Sequence, residues 1–160
     1  MADTKISALT DGTPLAAGDQ IPVNRGGANR RVSYRQYEEW AIACSDETTL
    51  LTTGTAKAAF SLPYAFTVTD VYATVNTAPT GDTLIVDINE EGTTILSTKI
   101  VIDVSEFTGG SANTQGTAAA AAVISDTAIA ANAQITIDID QIGSTIAGKG
   151  LKVIIFGYRT

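Results

Sequence analysis

The 160-residue sequence has no histidine, a single cysteine (Cys44), a single tryptophan (Trp40) and four prolines. Without histidine, Ser-His-Asp and Cys-His nucleophilic arrangements are excluded, and so is imidazole ligation of a metal. One cysteine leaves no intramolecular disulfide, no Cys-x-x-Cys and no cysteine knuckle. Cys44 has no base beside it in sequence and reads as a small buried hydrophobe. Long apolar runs are missing too. Nothing approaches the roughly 18 to 20 residues that span a bilayer, and Met1-Ala-Asp-Thr-Lys opens without the apolar stretch of a signal peptide. The expectation is a chain made in the cytoplasm, without membrane insertion.

Basic residues are few, 10 against 17 acids, for a net charge of −7. They are also unevenly placed. Gln20 to Gln36 holds Arg25, Arg30, Arg31 and Arg35 and no acid, whereas residues 47–160 carry 11 acids and 5 bases. An acidic body repels phosphate backbones and four arginines are few for tracking one, so nucleic acid is not an expected partner. Paired carboxylates are the one enzymatic arrangement left: Asp138 with Asp140, or Asp87, Glu90 and Glu91 beside a turn. Aromatics make up 6% of the chain, scarce for a sugar-cleaving site, and these acids read as a solvated strand face. Asp87-x-Asn89-x-x-Gly92 superficially resembles a calcium loop, but it lacks the terminal acid and falls on a strand and its turn. No catalytic residue, metal or cofactor is expected, and the chain reads as a non-enzyme.

What is abundant is β-branched: Thr 24, Ile 17 and Val 10 together make 51 of 160 residues, a bias toward pleated, half-buried surfaces. Two segments are expected, an N-terminal attachment module over 1–46 and a body over 47–160. Residues 1–19, punctuated by Asp11-Gly12, Pro14 and Gly18-Asp19, predict an extended arm. Gln20 to Arg25 and Ala28 to Ser33 flank Gly26-Gly27, the dipeptide of a tight hairpin turn. Ser33 as N-cap with Gln36 three residues on predicts a short helix, in which Tyr34, Tyr37, Trp40, Ala41 and Cys44 form an apolar stripe.

From Leu50 onward the pattern is strands. Ala56 to Leu62 and Phe66 to Asn76 come first, with Val68, Tyr72 and Phe66 facing inward. Leu84, Val86 and Ile88 alternate with Ile85, Asp87 and Asn89, and Ile135, Ile137 and Ile139 with Thr136, Asp138 and Asp140. Thr93 to Ser97, Lys99 to Val104, Ala122 to Ser125 and Leu151 to Tyr158 complete about eight strands. The fold class expected is an all-β body, an antiparallel β-sandwich that is jelly-roll-like or immunoglobulin-like in order, preceded by arm, hairpin and helix. Phe107 to Ala121, with Gly109-Gly110 and five alanines, is long for a loop and reads as contact-making. The arginines are either solvated side chains on an edge hairpin or a docking patch for a partner's carboxylates.

Lys5-Ile-Ser-Ala-Leu followed by Ile21-Pro-Val-Asn-Arg-Gly-Gly-Ala-Asn-Arg-Arg-Val resembles the N-terminal attachment segment of tailed-bacteriophage virion proteins, head-fibre, capsid-decoration and tail-fibre proteins among them. Phe60-Ser-Leu-Pro-Tyr-Ala-Phe, Pro79-Thr-Gly-Asp-Thr-Leu-Ile-Val-Asp-Ile-Asn and Ile135-Thr-Ile-Asp-Ile-Asp-Gln-Ile-Gly-Ser are similar to a β-sandwich module at the ends of phage structural proteins. The resemblance implies a virion protein, a homotrimer, with no catalytic residues to carry over. Attachment is expected through Ile21, Val23, Arg25, Gly26, Gly27, Arg30, Arg31 and Val32, and oligomer contacts through Tyr34, Tyr37 and Trp40. The partner is a capsid protein if this is a head decoration or head fibre, which the short chain favours. It is a tail or baseplate protein, with a host-surface glycan as ligand, if this is a receptor-binding tip.

Overall fold

The computed structural model describes residues 19–33, 35–112 and 120–160, and the regular structure among them is strand throughout, with no helix. In chain order the strands are β1 (Gln20–Arg25), β2 (Ala28–Ser33), β3 (Tyr37–Ala43), β4 (Gly54–Ser61), β5 (Phe66–Thr74), β6 (Leu84–Glu90), β7 (Thr93–Thr94), β8 (Leu96–Thr98), β9 (Ile100–Ile102), β10 (Thr108–Gly110), β11 (Val123–Ile124), β12 (Ala128–Ile129), β13 (Gln134–Gln141) and β14 (Lys152–Arg159). The chain divides into two units, Met1–Gln36 and Tyr37–Thr160.

In the first unit β1 and β2 pair antiparallel from Gln20↔Ser33 to Arg25↔Ala28. Gly26 and Gly27 close the hairpin at φ 63° and 77°. Two consecutive left-handed residues make the turn whose twist matches the strands it joins, and glycine adopts that conformation without a Cβ clash. The arm expected over residues 1–19 falls, but for Asp19, outside the described residues.

The second unit is two antiparallel sheets packed face to face, a β-sandwich. One sheet runs β10-β5-β14-β3, with β12 also on β5; the other runs β4-β13-β6-β7, with β9 also on β6, and β8 pairs with β11. Ile135, Ile137 and Ile139 of β13 and Leu84, Val86 and Ile88 of β6 face Phe66, Val68, Val71 and Ala73 of β5 and Val153 and Ile155 of β14 in one apolar core. Each such aliphatic side chain withdrawn from water contributes about 1.5–3 kcal/mol. A void between the sheets beside Trp40, Phe60 and Phe66 measures only about 10 Å³, no more than about one water's room.

Three expectations are corrected. The helix after Ser33 is absent: Ser33 ends β2, and Tyr37–Ala43 is the edge strand β3, laddered to β14 from Tyr37↔Tyr158 to Ala43↔Lys152. The sequence Tyr-Glu-Glu-Trp-Ala-Ile-Ala also alternates, and a three-turn helix is marginal alone, so a seven-residue ladder on an open edge prevails. Tyr72 does not face inward. β5 slips register against β14 around Thr69, where Phe156 pairs with Asp70 but Gly157 with Val68. This bulge shifts the buried set from Phe66 and Val68 to Val71, Ala73 and Val75 and turns Tyr72 outward. Asp87 and Asn89, expected on a wet face, are buried: Thr94 and Lys99 fold across Asp87, and β7 ladders onto β6 at Asn89. Part of the long loop is strand β10, paired to β5; residues 113–119 lie outside the described residues.

Candidate functional site

The hairpin sorts its side chains by register. Ile21 pairs with Val32, Val23 with Arg30 and Arg25 with Ala28, which places an apolar row and two guanidinium groups on one face. Gln20, Pro22, Asn24, Asn29 and Arg31 share the other, where Asn24 Nδ2 donates to Asn29 Oδ1 at 3.1 Å and Arg31 Nη1 to Gln20 Oε1 at 3.2 Å. Ile21 and Val32 are 40% and 43% exposed. Arg25 and Arg30 form no ion pair among the described residues. The hairpin therefore brings all eight expected attachment residues onto one small element, with Arg31 alone pointing away from the apolar row.

The three expected oligomer residues are not brought together. Tyr34 lies outside the described residues. Tyr37 and Trp40 occupy opposite faces of β3, Tyr37 outward at 68% exposure and Trp40 against the core, 6.3 Å edge-on from Phe66 and 6.2 Å from Tyr64. Trp40 Nε1 is buried without a hydrogen-bond partner among the described residues. Beside it, Glu38 accepts from Tyr64 Oη and Arg159 Nε, each at 2.5 Å, while the Arg159 guanidinium lies 3.8 Å from the Tyr64 ring centre. Burial first, then the Glu38 carboxylate, raises the Tyr64 pKa. This group clamps the end of β14 to β3.

The outer face of the β5-β14-β3 sheet was missed in the sequence. Register places Tyr37, Tyr158 and Thr67 in one row, Glu39, Phe156 and Asp70 in the next, and Ala41, Ile154 and Tyr72 beyond. Tyr37 and Tyr158 meet edge-on at 5.6 Å. A hollow of about 300 Å³ is lined by Tyr37, Glu38, Glu39, Phe156 and Gly157, and another of about 190 Å³ by Asp70, Val71, Tyr72, Ala112 and Phe156. Phe156 is common to both. Asp70 accepts from the Ser111 hydroxyl; Glu39 is exposed. The signal available was the alternation Ile154, Phe156, Tyr158, whose partners on β3 and β5 no local pattern discloses.

Of the acids weighed for catalysis or calcium, Asp138, Asp87 and Asp140 are tied into the sheet by hydrogen bonds and ion pairs. Asp138 stands opposite Asp87, and its Oδ1 accepts the Ala56 N–H at 2.7 Å. Asp87 accepts from Thr94 Oγ1 at 2.5 Å and the Ile88 N–H at 2.9 Å, and Lys99 Nζ bridges it at 2.9 Å to Asp140. Asp140 first, then Asp87, raises the Lys99 pKa. Among the described residues no three acidic or cysteine side chains converge as a metal cage would require. The Cys44 thiol is pushed up to about 11 by burial, which disfavours the nucleophilic thiolate at neutral pH.

Comparison with family models, curated proteins and solved structures finds no match to this chain.

Proposed function

We propose that this chain is a non-enzymatic structural protein of a tailed-bacteriophage particle: a trimeric capsid decoration or head-fibre protein whose hairpin attaches it and whose jelly-roll-like sandwich faces outward. The observation that carries the reading is the hairpin, a two-stranded element with an uncovered apolar row beside Arg25 and Arg30. A two-stranded ribbon is at best marginally stable alone in water, and its uncovered row suits a partner with an apolar strip and carboxylates, to which arginine forks bind in pairs. The attachment sequence around Ile21 to Val32 supports the phage assignment.

The test is particle incorporation. Arg25→Glu with Arg30→Glu reverses the charge of the docking face and leaves the Gly26-Gly27 turn untouched. The doubly substituted protein is expected to remain soluble and folded but to be depleted at least tenfold from purified particles by quantitative mass spectrometry, one lost charge-assisted contact alone being worth about that factor. Incorporation at the normal level sinks the reading. A second reading, a tail-fibre or baseplate tip that engages the host surface, is favoured by the aromatic outer sheet face, where Tyr37 is exposed and Tyr72, Phe156 and Tyr158 are half-buried. Cryo-electron microscopy of the particle separates the two, by density on the capsid lattice or at the tail.

A further inference from the structure

We propose that the outer face of the β5-β14-β3 sheet is a binding site for a neutral oligosaccharide chain, centred on Phe156 and flanked by Glu39 and Asp70. It gives the receptor-tip reading its ligand face, yet it rests on the sheet geometry alone.

The two outer faces of the sandwich differ in kind. That of β6 and β13 carries Thr136, Asp138, Asp87 and Asn89, with Lys99 tied into it. That of β14 and its neighbours carries Tyr37, Tyr158, Phe156, Ile154 and Tyr72. Aromatic rings left on a sheet exterior offer a flat apolar face with a polar rim. The C–H face of a pyranose ring fits against such rings, and its hydroxyls donate to carboxylates beside them. Here the carboxylates sit directly across from Phe156 on both neighbouring strands, within about 4.5–5.5 Å between Cβ atoms. Hydrogen bonds to an ionised acceptor are roughly twice as strong as neutral ones. The two hollows lie on opposite sides of Phe156, one toward β3 and one toward β5, open places for consecutive sugar units rather than for one enclosed molecule.

Charge narrows the occupant. An anionic glycan meets Glu39, Asp70 and a net charge of −7. A second copy docking through the same face sets those carboxylates against their equivalents, and Lys152, in the row beyond Ile154, is already paired with Glu47. A quaternary ammonium or lysine side chain favours rings that close around it as a cage, whereas these lie along an open sheet.

The full-length protein is titrated calorimetrically with cellohexaose, maltohexaose, a mannohexaose and a chitin hexamer, after a screen on the same sugars immobilised. Binding of at least one is expected, weakened roughly tenfold by Tyr37→Ala and by Glu39→Gln and lost in Phe156→Ala. Glu39 is exposed, so Glu39→Gln keeps the thermal midpoint; Tyr37→Ala loses only the edge contact with Tyr158 and stays folded, and the two preserve the test if Phe156→Ala disturbs β14. The proposal is overturned by no binding to any of the four sugars, by binding that the Tyr37 and Glu39 variants leave unchanged, by binding to tetramethylammonium alone, or by self-association in sedimentation velocity that Phe156→Ala abolishes.

Discussion

At the scale of single residues, Gly157 shows how one position sets a register. It lies on the inner side of β14 opposite Val68, where a Cβ would stand 2.1 Å from the Thr67 carbonyl oxygen and 2.6 Å from the Phe66 ring. The obstacles are backbone and the edge of a buried aromatic, neither of which swings away. Gly157→Ala forces β14 off β5 beside the bulge, and overpacking of this kind costs about 1–3 kcal/mol. A urea titration is expected to give a lower midpoint at an unchanged slope; an unchanged midpoint would mean that the ladder relaxes there freely. Trp40 is the complementary case. Its ring is anchored between Phe66 and Tyr64 while its N–H meets no acceptor among the described residues, so apolar packing is what holds it there.

Between elements, Lys99 does the joining. It sits between β8 and β9 and reaches back over the second sheet to Asp87 on β6 and Asp140 on β13. Asp87 is buried, and without the ammonium its charge is answered by Thr94 and the Ile88 N–H alone. Lys99→Met is expected to cost about 1–2 kcal/mol at neutral pH, less than a fully buried pair because the lysine side chain is 41% exposed. The pH dependence has a definite sign. The folded lysine pKa is raised above its unfolded value of about 10.4, so the contribution is fully present below that pH and lost as pH rises through the folded pKa. Wild type should therefore lose stability more steeply than Lys99→Met above about pH 10. Parallel profiles from chemical denaturation would remove the bridge from the account. Tyr64, whose pKa is also raised, titrates in both proteins and cancels in the difference.

For the whole molecule, the division after Gln36 carries its own expectation. Among the described residues, the apolar core lies within Tyr37–Thr160. Residues 37–160 expressed alone should unfold cooperatively, with a thermal midpoint within about 2 °C of the full chain, less than the roughly 3–5 °C that losing 1 kcal/mol would cost a domain of this size. A broad or much lower transition would show that the first 36 residues stabilise the body. The truncation begins at Tyr37 because β3 is a strand of the sandwich. Cutting after residue 46 would strip that strand from β14, removing Trp40 and uncovering Phe66 and Tyr64 beneath it.

The amino-acid sequence by itself determined what depends on near neighbours. The Gly26-Gly27 turn, the alternation of β6 and β13 and the all-strand character of the body follow from φ preference, period-two patterning and β-branched composition, which act within a few residues. The hairpin, and with it the candidate attachment surface, was legible for that reason. What the tertiary structure alone decided depends on register between distant strands. Residues 37–43 satisfy both helical and strand spacing, and only the open edge of β14 selects the strand. The bulge at Thr69 is invisible until β5 is laid against β14, yet it turns Tyr72 and Asp70 outward. Asp87 is wet or buried according to where Thr94 and Lys99 fold. The row Glu39, Phe156, Asp70 joins three strands from the beginning, end and middle of the body, and hydrogen-bond pairing between them, not any local signal, creates it.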